Sequence, residues 1–124
     1  MADFRLIVRQ TGGPEVIEQE PIDAAALRPG KGEVRLRQSA IGLNFIDTYQ
    51  RSGLYKIRLP SGLGAEGAGT IEAAGEDVEG FAVGDRVAYG TGPLGAYATV
   101  RLMPADHLVA LPDDIATRPP RRRC

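Results

Sequence analysis

The sequence predicts a mainly β protein, a small and partly open barrel with one or two short helices. Three observations carry this. Glycine and proline are abundant, with sixteen and nine in 124 residues, which favours a turn-rich β architecture over a helical bundle. Short runs alternate apolar and polar residues with period two, as in VRLRQSAI from Val34 and AYATVRL from Ala96. Glycine turns separate the runs about every ten residues, the spacing of a small barrel.

Taken in order, Phe4 to Arg9 predicts a first strand, Thr11 to Pro14 a turn and Glu15 to Glu20 a second strand, together a hairpin. Ile22 to Leu27 is a connector with one possible helical turn, and Pro29 to Gly32 a loop into the strand Val34 to Ile41. Asn44 then stands before FIDTYQRS and Gly53 after it. Asn is a favoured N-cap, Asp47 three residues on makes an approximate capping box, and Gly53 suits a left-handed stop, so the segment predicts a short helix over 45–51. Phe45, Ile46 and Tyr49 share one face of it.

Lys56 to Gly62 predicts an irregular loop. Gly67 to Ala74 becomes a strand at Thr70, Gly75 and Gly80 bracket a turn, and Arg86 to Tyr89, Ala96 to Leu102 and Leu108 to Leu111 are further strands. The chain is expected to form one domain over 1–115, large enough for its own core. ATRPPRRRC, from Ala116, has two adjacent prolines and no amphipathic pattern, and predicts a disordered basic tail over 116–124.

Charge narrows the function. Net charge is −1, but four of the fifteen basic residues lie in the last seven positions. Without those positions eleven basic residues face sixteen acidic ones, a net −5. An acidic body is a poor nucleic-acid binder. The sole cysteine, Cys124, permits no intrachain disulfide, which suits a reducing compartment. MADFRLIVRQ lacks the long apolar stretch of a signal peptide, and no apolar run is long enough to span a membrane. A cytoplasmic protein is expected.

The chemistry concentrates between Ser39 and Gly69. The N-terminus of the predicted helix carries unpaired N–H groups and partial positive charge, so it can receive an electron-rich ligand. Tyr49 and Tyr55 can each donate from a phenol and stack through an apolar ring, or can serve only as a core residue and a loop anchor. Asn44 can cap the helix with its oxygen while its amide nitrogen points elsewhere.

GLNFIDTYQRSGLY, then PSGLGAEGAG, then VGDRVAYGTGPLGAYATV resemble the zinc-independent quinone oxidoreductases, the zeta-crystallin-like branch of the medium-chain dehydrogenase/reductase superfamily. The likeness runs from Phe4 to about Ile115. It implies a GroES-like β-domain carrying much of a substrate site, with the Rossmann domain that binds NADPH absent from this chain. It further implies hydride transfer from NADPH to a quinone, a homodimer for the full-length enzyme, and little turnover or cofactor affinity for this domain alone. The resemblance makes Asn44, Tyr49 and Tyr55 the candidate catalytic residues. Asn44, Phe45, Ile46, Asp47, Thr48 and Tyr49 become the edge of the NADPH site. Glu66, Gly67 and Gly69 keep a GxExxG-like bend, read as close backbone packing. Two alternatives remain open: a related zinc-free enone or enoyl reductase, and a non-catalytic GroES-like binding module.

Zinc is not expected. In zinc-dependent relatives a Cys stands where this chain has Asn44 and a His where it has Ala65. The single His107 and single Cys124 cannot build a catalytic site of that type. Without a metal, a carbonyl oxygen must be polarised by hydrogen bonds and the hydride must come from a nicotinamide.

One motif misleads. Gly90 to Gly95 reads G-x-G-x-x-G, the dinucleotide fingerprint, but that motif must open a helix within a βαβ unit. A proline interrupts it here and strand-period sequence follows, so it predicts a hairpin loop.

Overall fold

The structure, a computed structural model, describes residues 2–115. The predicted tail over 116–124 lies outside them. Eight strands and one helix are arranged as β1 (Asp3–Val8), β2 (Ile17–Ile22), β3 (Glu33–Ile41), α1 (Phe45–Ser52), β4 (Ser61–Gly62), β5 (Gly67–Ala74), β6 (Arg86–Tyr89), β7 (Val100–Pro104) and β8 (Val109–Ala110). They form two open sheets, ordered β2-β1-β4 and β7-β3-β5-β6-β8.

β3 is the axis of the larger sheet. Val34 and Leu36 are fully buried while their neighbours are not, as the period-two reading predicts. β3 pairs antiparallel with β5 on one side and β7 on the other. Val34 and Leu36 join Ile71, Val87, Tyr89 and Met103 in the principal core. A second cluster, Val8, Val16 and Leu63 with Tyr97 against it, lies under the smaller sheet. Burying each such aliphatic side chain is worth about 1.5–3 kcal/mol, which makes these two clusters the main stabilising force.

The hairpin predicted over 4–20 is present as β1 and β2 in register from Asp3–Ile22 to Val8–Ile17. Its second strand starts later than predicted, because Pro14–Val16 form a 3-10 turn that buries Val16. β5 starts earlier than predicted, at Gly67, which lies opposite both Ile41 and Tyr89. Gly69 shows why glycine is needed there. A Cβ on it would overlap the backbone carbonyl of Arg37, beside the bulge between Gln38 and Ala40.

The strand predicted over Ala96–Leu102 is corrected to Val100–Pro104. Ala96–Thr99 alternates like a strand but spends its hydrogen bonds on several neighbours. Tyr97 N–H donates to Leu63 O at 2.9 Å, Leu6 N–H to Tyr97 O at 2.8 Å, and Thr99 N–H to Phe4 O at 3.0 Å. Gln38 N–H donates to Thr99 O at 3.0 Å, and the Gln38 side-chain amide donates to Ala96 O and Ala98 O at 2.8 and 2.9 Å. This segment therefore joins the small sheet to β3 and half-closes the barrel. Gly90–Gly95 is the loop from β6 toward it, and the segment it leads into is not helical.

Candidate functional site

α1 follows the end of β3 and is clamped at both ends. At its start Asn44 is extended, with φ −133° and ψ 150°. Its backbone N–H donates to Asp47 Oδ2 at 3.1 Å, and Asp47 N–H donates back to Asn44 O at 3.0 Å. At its end Gly53 adopts the left-handed conformation, φ 92°. Gly12 N–H donates to Arg51 O at 3.0 Å and Arg51 Nε to Gly12 O at 3.2 Å, tying the last turn to the β1–β2 connection. The helix bounds read from Asn44 and Gly53 hold to within one residue.

The buried residue of α1 is polar. Asp47 is 3 % exposed, and its Oδ2 also accepts from the Tyr97 hydroxyl. Burial pushes the Tyr97 pKa up and the Asp47 carboxylate pushes it further, so the phenol keeps its proton. A buried carboxylate is tolerated only when hydrogen-bonded in this way. Tyr97 is the residue that sequence reasoning missed. It sits inside an apparently regular strand pattern, and nothing local marks its partner on α1.

The face shared by Phe45, Ile46 and Tyr49 points outward. Phe45 is 83 % exposed and Tyr49 39 %. The reading of Tyr49 as a core residue is therefore corrected: Asp47 takes the inward position because Tyr97 meets it there. Tyr55, 51 % exposed, is brought against Tyr49. Their ring centroids are 5.6 Å apart with planes at 74°, an edge-to-face pair, and Tyr55 N–H donates to Tyr49 O at 3.1 Å. Leu43 and Leu54 extend the same exposed apolar segment.

The remaining candidates surround this pair. Asn44 is exposed at the helix start. Thr48 is exposed, with its hydroxyl donating to Phe45 O at 2.6 Å. Asp47 alone among the candidates faces inward, which gives it a positioning geometry rather than a surface one. Glu66 is exposed and its backbone carbonyl accepts from Gly42 N–H at 3.2 Å. A Cβ on Gly42 would meet the Glu66 side chain, so the two are in close contact at this bend. His107 Nδ1 lies 2.9 Å from Thr91 Oγ1, away from α1. Among the described residues no three of His, Cys, Asp and Glu gather where they could hold a metal, and no helix is long and apolar enough to cross a membrane.

Two open sheets, half-closed by an irregular segment and presenting one end-clamped helix with an exposed tyrosine pair, define a GroES-like β-domain. The chain belongs to the alcohol dehydrogenase GroES-like domain family, which it matches over residues 30–113. It is 60 % identical over 105 residues to a quinone oxidoreductase of Pseudomonas aeruginosa, covering 84 % of this chain and 32 % of the relative. Among solved structures it is similar to the quinone oxidoreductase of Pseudomonas syringae, with 54 % identity and TM-score 0.85 over 93 % of this chain and 35 % of that one. It is also similar to Escherichia coli quinone oxidoreductase complexed with NADPH, with 43 % identity and TM-score 0.86 over 92 % and 35 %. The chain spans about a third of the length of the curated relatives it matches.

Proposed function

We propose that this chain is the substrate-side domain of an NADPH-dependent quinone oxidoreductase, acting within a longer enzyme. One observation carries the reading. A helix held rigidly at both ends turns an apolar, aromatic face outward, with Tyr49 and Tyr55 edge to face on it. A monomeric fold gains nothing from exposing Phe45 and Tyr49 while burying Asp47, whereas a site for a planar conjugated ring needs that exposure.

The residues fit one end of a nicotinamide cofactor. The exposed surface from Asn44 to Tyr49 offers an apolar wall that suits a flat ring, and the helix start beside it favours an electron-rich group on that ring. The phosphates have no matching cradle in the 90–95 loop, which leads toward β7 and not into a helix. In this reading Asn44, Phe45, Ile46, Thr48 and Tyr49 line the nicotinamide end of the site, and Asp47 positions them from beneath.

NADPH, when bound, supplies the hydride. The chain's own groups do the rest. The Tyr55 phenol donates a hydrogen bond to the quinone oxygen as negative charge grows on it, and the Tyr49 ring holds the quinone plane. Preorganised donors of this kind act without reorganising during the reaction. A zinc-free carbonyl reduction in the cytoplasm accords with a chain holding a single cysteine.

The test joins residues 1–115 to the cofactor domain of the Pseudomonas aeruginosa relative and follows quinone-dependent NADPH oxidation. The expected result is turnover by the chimaera and little or none by the present chain alone. Turnover of conjugated enones with no rate on any quinone would move the assignment to an enone reductase. Robust quinone reduction by the present chain would show that the α1 segment suffices.

A further inference from the structure

Arg101, on β7, is 8 % exposed, and none of the ion pairs among the described residues includes it. Its neighbours in the sheets differ: Arg5 is paired with Glu20, Arg35 with Glu72, and Arg37 with both Glu72 and Asp3. The Arg101 guanidinium lies over the Tyr89 ring, with Cζ 5.2 Å from its centroid. It donates to Leu102 O at 3.1 Å, Pro93 O at 2.9 Å and the Tyr89 hydroxyl at 3.4 Å. All of these acceptors are neutral. A charge withdrawn from water without a counter-charge is strongly unfavourable.

The same residue lines a cavity of about 320 Å³ beside β1 and β7, whose apolar walls include Leu6, Ile22, Leu27, Leu94 and Leu102. Two other charged groups at this cavity are already engaged: Arg5 with Glu20, and Glu33 Oε1 with Gly30 N–H at 2.9 Å. The G-x-G-x-x-G loop frames the guanidinium. A Cβ on Gly95 would stand 3.6 Å from Arg101 Cζ and Nη2, and Gly95 has φ 137°. A side chain there would touch the cation at ordinary contact distance, so it is the left-handed backbone that favours glycine. The loop that mimics a dinucleotide fingerprint is thus built around a buried arginine.

We propose that this cavity binds a small organic carboxylate. The carboxylate accepts from the two guanidinium N–H groups that Leu102, Pro93 and Tyr89 leave unused, and a short apolar tail lies along Leu6, Leu27 and Leu94. The apolar walls select a carboxylate with a hydrocarbon body over a bare inorganic anion. The site is separate from the α1 face and does not depend on the quinone reading.

The test is an NMR titration of the 124-residue chain with sodium hexanoate. Saturable shifts of the Arg101 Nε–H and of the Leu94 and Gly95 amides are expected. 1-Hexanol, with the same tail and no charge, should leave the Arg101 resonance in place. Arg101→Met should weaken hexanoate binding about tenfold or more, the scale of one charged hydrogen bond. If that variant does not fold, Leu27→Trp fills the cavity with Arg101 retained, and should abolish the saturable shifts in a near-native spectrum. The proposal is overturned by an absence of saturable shifts, by equal shifts with hexanol or inorganic phosphate, or by undiminished hexanoate binding in the folded variant.

Discussion

The Tyr97 hydroxyl donates to Asp47 across fifty residues of sequence. One carboxylate oxygen serves both this phenol and the Asn44 N–H. Tyr97 packs against Val8, Val16 and Leu63, so the bond couples the smaller core to the first turn of α1. The height and rotation of the helix, and with them the direction of Tyr49, follow from that coupling.

Tyr97→Phe is expected to destabilise the domain by about 1–3 kcal/mol in urea unfolding, the cost of leaving a buried carboxylate short of a donor. Asp47→Asn should weaken the same bond. The double variant should lose less than the sum of the two, because both act on one interaction.

The pH dependence has a definite sign at the alkaline end. The Tyr97 pKa is raised above the ordinary value of 10, first by burial and then by Asp47, so the folded state holds the proton more tightly than the unfolded one. The resulting stability is complete below pH 10 and is lost as pH climbs above it. Tyr89 is raised by burial as well. Urea midpoints measured in alkali should therefore fall with pH, and Tyr97→Phe should reduce that slope without removing it.

At the acid end the sign reverses. The Arg37 guanidinium donates to both Glu72 and Asp3 and lowers both pKa values from their ordinary 4.5 and 3.8. Their contribution is present above those values and is lost as pH falls through them. Thermal midpoints followed from about pH 6 to about pH 3 should drop steeply, and Arg37→Met should flatten the drop.

Gly69→Ala and Gly80→Ala separate two roles of glycine. A Cβ on Gly69 meets the Arg37 carbonyl, whereas Gly80, with φ 80°, has open space around it. The first should cost about 3 kcal/mol or more through a backbone clash. The second should cost about 1–2 kcal/mol from left-handed strain alone. Equal losses in denaturant unfolding would contradict the packing argument for the Gly67–Gly69 bend.

In the chimaera, Tyr55→Phe is expected to lower kcat for quinone reduction about a hundred- to a thousandfold, the scale of one oxyanion donor. Tyr49→Phe keeps the ring and should have a smaller effect. Neither should move Tm by more than a degree or two, since both rings are exposed. A matching fall in Tm would assign these tyrosines to the fold and not to the site.

The exposed segment should also govern association. Leu43 is 77 % exposed and Phe45 83 %, next to Leu54, Tyr49 and Tyr55. An apolar surface of this kind favours self-association. Light scattering on the isolated chain should show concentration-dependent oligomers, and Leu43→Ser with Phe45→Ser should suppress them.

Much of this was legible in the residues themselves. Val34 and Leu36 alternate with arginines, and that period alone places one face of β3 in the core. Asn44, Asp47 and Gly53 mark the ends of α1 because capping is a matter of a few adjacent backbone groups. The motifs from Gly42 to Gly69 carry the family. Local pattern could not say which side of α1 is buried. Hydrophobic periodicity groups Phe45, Ile46 and Tyr49 on one face without saying whether it points in or out; Asp47 faces in, because its partner Tyr97 arrives from a distant segment. For the same reason Ala96–Thr99 reads as a strand and is not one: Leu63, Phe4 and Gln38 supply its hydrogen bonds from three directions. Arg101 likewise looked like one polar residue in an alternating run, and only its placement over Tyr89 made it a buried cation. Periodicity and capping are properties of neighbours in sequence, whereas the satisfaction of a buried polar group depends on neighbours in space, which only the tertiary structure supplies.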